Sequence, residues 1–364
     1  MRLFRCDTEA MWEERAYRAR REIAALAASG LGISDLHAEA IRVVDRDVKT
    51  ELTCWATLDP EALVISMITS GDPRIPVQFE PLLVDAEYSA IEPHSFSAMA
   101  KRKERLTRMS DLPMNEHAKS ERFQNVWRPL GLDQELRVLF DAEGTSWGAA
   151  GLVRAGHDFS DRELEYLAAV APAIATATRI AVRADIAGRA EGAAPAIVIL
   201  SAQGDLRSAT PEAKVWEEKL NLDDSNRFAV MMRIMAKGAL SNRATGFHAR
   251  MSDGRGDWAV LQASSLVGGD ENGEVAVSIE SVRGEQLTSM LLVADGLSPR
   301  ESDVCLEVIV GHTTATIAQR LYVSPNTVQD HLKSAFAKVG VRSRGELVAR
   351  LQPRPTTSPG HSSQ

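Results

Sequence analysis

Between Pro325 and Val339 the chain sets Asn326, Thr327, Gln329, Asp330 and Lys333 along one side of a run whose other side is Val328, Leu332, Ala335, Phe336 and Val339. That recurrence fits an amphipathic helix with one apolar and one polar face. The polar face carries the groups that read base edges: an amide can bond adenine twice, an ammonium reaches guanine, and a carboxylate accepts from the cytosine amino group. Asp330 has a second reading as a solvated charge that repels wrong sequences. About fifteen residues of helix make a rod of roughly 22 Å, which a major groove accommodates. Other chemistries find no comparable constellation. There is no GK[ST] phosphate loop, no G-x-S-x-G, H-E-x-x-H or C-x-x-C, and the eight histidines include no pair at metal-ligand spacing. The chain therefore reads as a non-enzyme with no metal and no cofactor, and Cys6, Cys54 and Cys305 as reduced and inert.

The elements that must hold this face are short. Ser324 followed by Pro325 opens a helix and Gly340 stops it. Ile317, Ala318 and Leu321 give a shorter helix before it, and the four residues Leu321 to Ser324 suit the turn of a helix-turn-helix. Charge agrees. Residues 311–350 hold six basic and two acidic side chains, net +4, on a chain of net −8, whereas residues 1–296 hold 34 basic and 45 acidic ones. A basic end suits phosphates and an acidic front does not.

Residues 297–351 resemble the LuxR-type DNA-binding domain through Leu297, Pro299, Arg300 and Glu301, then Gly311, Thr313, Ile317, Ala318, Leu321, Val323, Ser324, Thr327, Val328, His331, Leu332, Lys338 and Val341. The resemblance implies four helices, the third in the major groove, with Gln329, Asp330 and Lys333 facing bases. It implies phosphate contacts from Lys338 and Arg344, with Thr314 beside them, and a dimer face on the fourth helix around Leu347, Val348 and Leu351. Three positions depart from the family pattern: Thr316 stands where Glu or Gln would return a capping bond, Glu307 where an apolar residue is common, and Val310 where a basic one is frequent.

The 364 residues allow two or three domains. Asp7 to Ser29 reads as a helix, either an outer helix of the first domain or a dimer-forming one, and a second helix follows from His37 to Asp47. Two β-rich runs flank Asp59-Pro60, the second ending at Gly71. A phosphate-accepting receiver domain around residues 43–47 is rejected, because the run before them reads as helix. The charged stretch 101–105 reads as a solvated helix face. Strands over 135–141 and 147–154 turn at Glu143-Gly144, and Ser160 with Glu163 caps a helix. Residues 130–179 are similar to a GAF domain, which implies a mixed α/β sensor with a small-ligand pocket.

Ile186 to Pro195 reads as a linker. Beyond it, two strands, helices and three strands resemble a small PAS domain, where Trp216, Phe228, Phe247 and Trp258 are either cavity wall or plain core. Residues 284–296 read as a helical connector and 353–364 as disordered. The expected fold is thus α+β multidomain: a GAF-like α/β domain over 1–185, a small PAS-like α/β domain over 195–283, the connector, and an all-α four-helix LuxR-type helix-turn-helix domain over 297–352. No run of eighteen apolar residues and no signal peptide is evident, so the expected setting is cytoplasmic, without a membrane. The expected function is sequence-specific transcriptional regulation by a homodimer on double-stranded DNA. A small-molecule ligand of the front domains and RNA polymerase are further candidate partners. The alternative is a protein-interaction platform whose DNA domain only localises the complex.

Overall fold

The structure, a computed structural model of the chain, describes residues 2–89, 91–187, 194–221, 226–242, 246–253, 257–267, 273–282 and 284–351. Most of the expected linker and all of the expected tail lie outside them. The chain divides into two compact units, Met1–Ser281 and Val282–Gln364.

The first unit begins with α1 (Arg2–Ala28) and α2 (Ile33–Asp45), followed by β1 (Leu52–Leu58) and β2 (Ile65–Ser70). Next come α3 (Glu80–Glu87), α4 (Phe96–Arg102), β3 (Leu106–Arg108) and α5 (Met114–His117). The hairpin β4 (Gln134–Ala142) and β5 (Thr145–Arg154) leads into α6 (Asp161–Ala187). These strands make one antiparallel sheet in the order β2-β1-β5-β4-β3. The hairpin turns where expected, with Glu143 and Gly144 both at positive φ. Ser160 and Glu163 form the expected reciprocal cap, each accepting the other's backbone N–H at 3.3 and 2.7 Å. The charged stretch is only half helical, because α4 ends at Arg102 and Lys103 turns left-handed.

Alternation along the strands gives this sheet two faces. One carries Trp55, Leu136, Val138 and Phe140 under α2 and α6, on which α1 packs; the rings of Trp55 and Phe140 are tilted to each other with centroids 4.8 Å apart. His37 sits edge-on to Trp55 and its Nε2 is 3.0 Å from the Thr178 hydroxyl. Burial lowers its pKa to about 4, so it is neutral at pH 7. The helix α6 is long and apolar enough to cross a membrane, and half of that window is buried in the fold. It packs on α1, β4 and β5, as a core helix does.

A second antiparallel sheet holds β6 (Ala196–Leu200), β7 (Leu206–Ala209), β8 (Phe247–Ser252), β9 (Trp258–Ser265) and β10 (Val275–Ser281) in the order β7-β6-β10-β9-β8. Its order repeats that of the first sheet. Two helices, α7 (Glu212–Leu220) and α8 (Arg227–Ser241), cover it. The approach is close at Gly238, where an added Cβ would come within 2.3 Å of the Phe247 ring. Trp216 and Phe228 are plain core with Phe247 packed against it, and Trp258 is buried and donates its indole N–H to Asp185. The two sheets share that core: Val64 and Val84 of the first half belong to it. Ion pairs join the halves as well, from Arg233 and Lys237 to Asp85 and from Arg250 to Asp59 and Glu61.

The second unit is helical: α9 (Gly284–Ala294), α10 (Pro299–Ile309), α11 (Thr314–Arg320), α12 (Pro325–Val339) and α13 (Arg344–Leu351). The last four are the expected ones. The run from Gly284, read as a connector, is the helix α9 packed on α10, and Gly296 at φ 80° ends its last turn.

Candidate nucleic-acid interface

Three helices of the second unit start on a side-chain cap. Ser298 and Glu301 form a reciprocal box at α10, Thr313 accepts from the Thr316 N–H at α11, and Ser324 accepts from the Thr327 N–H at α12 with Pro325 in the first turn. The Thr316 hydroxyl lies 2.9 Å from that of Thr313, so this departure from the family pattern keeps a bond at the cap, to the side chain rather than the backbone. At the far end, Gly340 takes φ 74° and donates to the Phe336 carbonyl at 2.9 Å.

Glu301 also holds α12 in place. Its carboxylate accepts from Ser334 Oγ at 2.6 Å and Lys338 Nζ at 2.8 Å, both on α12. Burial pushes this carboxyl up, but the bonds from Lys338, Ser334 and Ser298 outweigh it and hold the pKa at about 2. Glu307, at a position where the family prefers an apolar residue, faces outward from the packing and accepts from His312 Nδ1 at 2.5 Å and Arg320 Nε at 2.8 Å. Helix α10 is thereby tied to α11 through a polar bridge. Val310, the third departure, is 71% exposed.

The apolar side of α12 is buried as expected at Val328, Leu332, Ala335 and Val339, while Phe336 is only half-buried. On the other side Asn326, Gln329, Asp330 and Lys333 are exposed and Thr327 is half-buried. Among the described residues, the side chains of Asn326, Gln329, Asp330 and Lys333 make no hydrogen bond within the chain and are free to bond elsewhere. The expected phosphate residues are differently placed. Lys338 is exposed but paired with Glu301. Arg344 donates to the His312 carbonyl at 3.0 Å and the Thr314 hydroxyl at 2.7 Å, which joins α13 to the start of α11. So Thr314 and Arg344 come together, and one guanidinium braces the loop before the helix-turn-helix. Sequence reasoning missed Ser334, the Ser298–Glu301 box with its reach to α12, and the Glu307–Arg320 bridge.

Residues 295–351 match the family model described as bacterial regulatory proteins, luxR family. The spore germination protein GerE of Bacillus subtilis is 36% identical over 55 residues, which are 15% of this chain and 74% of GerE. The chain belongs to the LuxR family of bacterial regulatory proteins. An HTH-type transcriptional regulator of Mycobacterium tuberculosis, Rv0890c, is 50% identical over 52 residues, 14% of this chain. The chain spans only 6% of that regulator's length. The solved structure of VqmA bound to DPO aligns at 13% identity over 44% of this chain and 87% of its own, with a TM-score of 0.20, too slight a likeness to bear on the fold. As a LuxR-family helix-turn-helix, α11 and α12 present the exposed amide, carboxylate and ammonium groups of α12 on a rod held by caps at its start and by Glu301 along its length.

Proposed function

We propose that this protein is a sequence-specific transcriptional regulator that binds double-stranded DNA as a homodimer, with α12 in the major groove. The observation that carries the reading is the row of exposed, unbonded polar side chains on α12 opposite its buried stripe. Gln329, Asp330 and Lys333, with Asn326 and Thr327 at the helix start, read base edges. The phosphate contacts come from the remaining N–H groups of Lys338 and from Arg344 with Thr314. One such helix covers few base pairs, which favours two copies on a symmetric site, joined through α13.

The front unit receives the signal. A GAF-like domain over 1–185 and a PAS-like domain over 195–283 are supported by two sheets of the same strand order, each with helices on it. Residues 284–296 join them to the DNA reader at 297–352. The protein works in the cytoplasm, and RNA polymerase is the partner through which DNA binding would change transcription. Sequencing the genomic fragments retained by the full-length protein at near-physiological salt tests the reading. Recovery of a two-fold symmetric motif with half-sites about one helical turn apart is expected. No enriched sequence would favour the rival reading, a protein-interaction platform, which a pull-down with residues 1–283 would then test.

A further inference from the structure

The face of the first sheet turned away from α1, α2 and α6 borders a cavity of about 370 Å³, within the range of small-molecule sites. Its floor is the row Cys54, Gly151 and Arg137, which are neighbours across β1, β5 and β4. Ile65 and Ile68 of β2 and Leu83 and Val84 of α3 line it further. Further wall comes from the second half of the unit, through Leu220 and through Val230, Met231 and Ile234 of α8, and at one side from Ser34, Asp35 and Ala38 of α2. Neither sheet encloses this space alone.

Three ion pairs lie on the wall. Arg122 donates to Glu135 at 2.8 Å, Arg137 to Glu87 at 2.6 Å, and Arg74 to Glu80 at 2.7 Å. Behind Arg122 lies Glu92, fully buried and 3.5 Å from the guanidinium. The buried cluster therefore holds two guanidinium groups against three carboxylates, Glu87, Glu92 and Glu135. Beside this cluster a ligand carboxylate would add a fourth negative charge and lose its hydration, since both guanidinium groups there already face carboxylates. Donors are in surplus instead. Arg137 Nε and Trp127 Nε1, both on side chains that line the cavity, are buried without a hydrogen-bond partner among the described residues.

We propose that this cavity binds an uncharged small molecule with an apolar body and a hydrogen-bond acceptor such as a carbonyl, held between the first sheet and α8. The inference rests on the reading of the front unit as the signal receiver and names the class of signal. Because α8 is also paired with α3 through Arg233 and Asp85, an occupant touches both halves of the unit at their junction.

Two substitutions close the space from opposite sides. A Cβ added at Gly151 meets only Glu135 Oε1, at 4.0 Å, so Gly151→Phe grows into the cavity without striking backbone. Met231→Trp fills it from α8. The full-length protein is titrated with the neutral apolar fluorophore N-phenyl-1-naphthylamine, and the bound probe is displaced with 2-dodecanone, dodecanoate or dodecane; circular dichroism and thermal melting confirm that each variant folds. Expected are saturable binding at one site per chain, about tenfold or greater weakening in both variants, and displacement by 2-dodecanone about tenfold better than by the other two. Unchanged binding in a folded Gly151→Phe protein overturns the site. Loss in that variant alone overturns the part played by α8, and displacement by dodecanoate as good as by the ketone overturns the charge argument. DNA affinity measured with and without 2-dodecanone is a separate readout: a chain that binds the probe as described but whose DNA affinity ignores the ketone keeps the cavity and loses its role as a signal receiver.

Discussion

Gln329 and Lys338 sit on the same helix and do different work. Gln329 is exposed and unbonded, so its amide is available to a base, whereas Lys338 divides its ammonium between Glu301 and solvent. Gln329→Ala is expected to cost roughly 1 to 3 kcal/mol at the cognate site and to relax preference at one base pair per half-site, read by competition with single-base variants. Lys338→Ala is expected to weaken every sequence alike and to flatten the salt dependence by about one unit, read from affinities across a salt series. It also strips Glu301 of its cation, so hydrogen exchange in α10 and α12 should rise in the free protein. Glu301 itself makes the domain acid-sensitive. Its pKa lies below the ordinary 4.5, at about 2, so its contribution is complete above about pH 4.5 and is lost as pH falls toward 2. Exchange protection of α10 in the parent over Glu301→Gln, corrected for intrinsic rates, should be constant from neutrality to about pH 4.5 and then shrink.

At the scale of the element, what matters is that α12 begins at a fixed place. The Ser324 hydroxyl accepts from the Thr327 N–H at 3.1 Å and Pro325 presets the first turn. Ser324→Ala is expected to destabilise the helix start by about 1 kcal/mol. Footprint and base preference should stay while affinity falls, as measured by anisotropy on the cognate and a mismatched site. The bounds of α12 were legible in the sequence because Ser324, Pro325 and Gly340 mark them locally. The hairpin at Glu143-Gly144 and the cap at Ser160 were legible for the same reason. What sequence could not give is contact between distant elements. Glu301 reaches Lys338 across 37 positions, and Glu307 looked like a misplaced core residue until Arg320 and His312 were seen around it.

In the molecule as a whole, the sequence suggests two front domains separated by a small-residue linker, and the structure brings both sheets into one compact unit with a common core. No periodicity signals that union, because it depends on Val64 and Val84 meeting the helices of the other half and on Asp85 meeting Arg233 across 148 positions. The buried charges around Arg122 and Arg137 were invisible for the same reason: their partners lie on α3, on β4 and in the loop at Glu92. The acidic front and basic end, by contrast, were plain from composition, and they assign nucleic acid to the second unit.

The most direct test of the central claim, that α12 reads sequence with its exposed face, is the affinity of the full-length parent and Gln329→Ala for the cognate site and for each single-base variant of it, at one salt concentration. Loss of discrimination at one symmetry-related pair of positions, with discrimination elsewhere retained, is the predicted result. Equal affinities for parent and variant across all sites would mean that α12 does not read bases through this face.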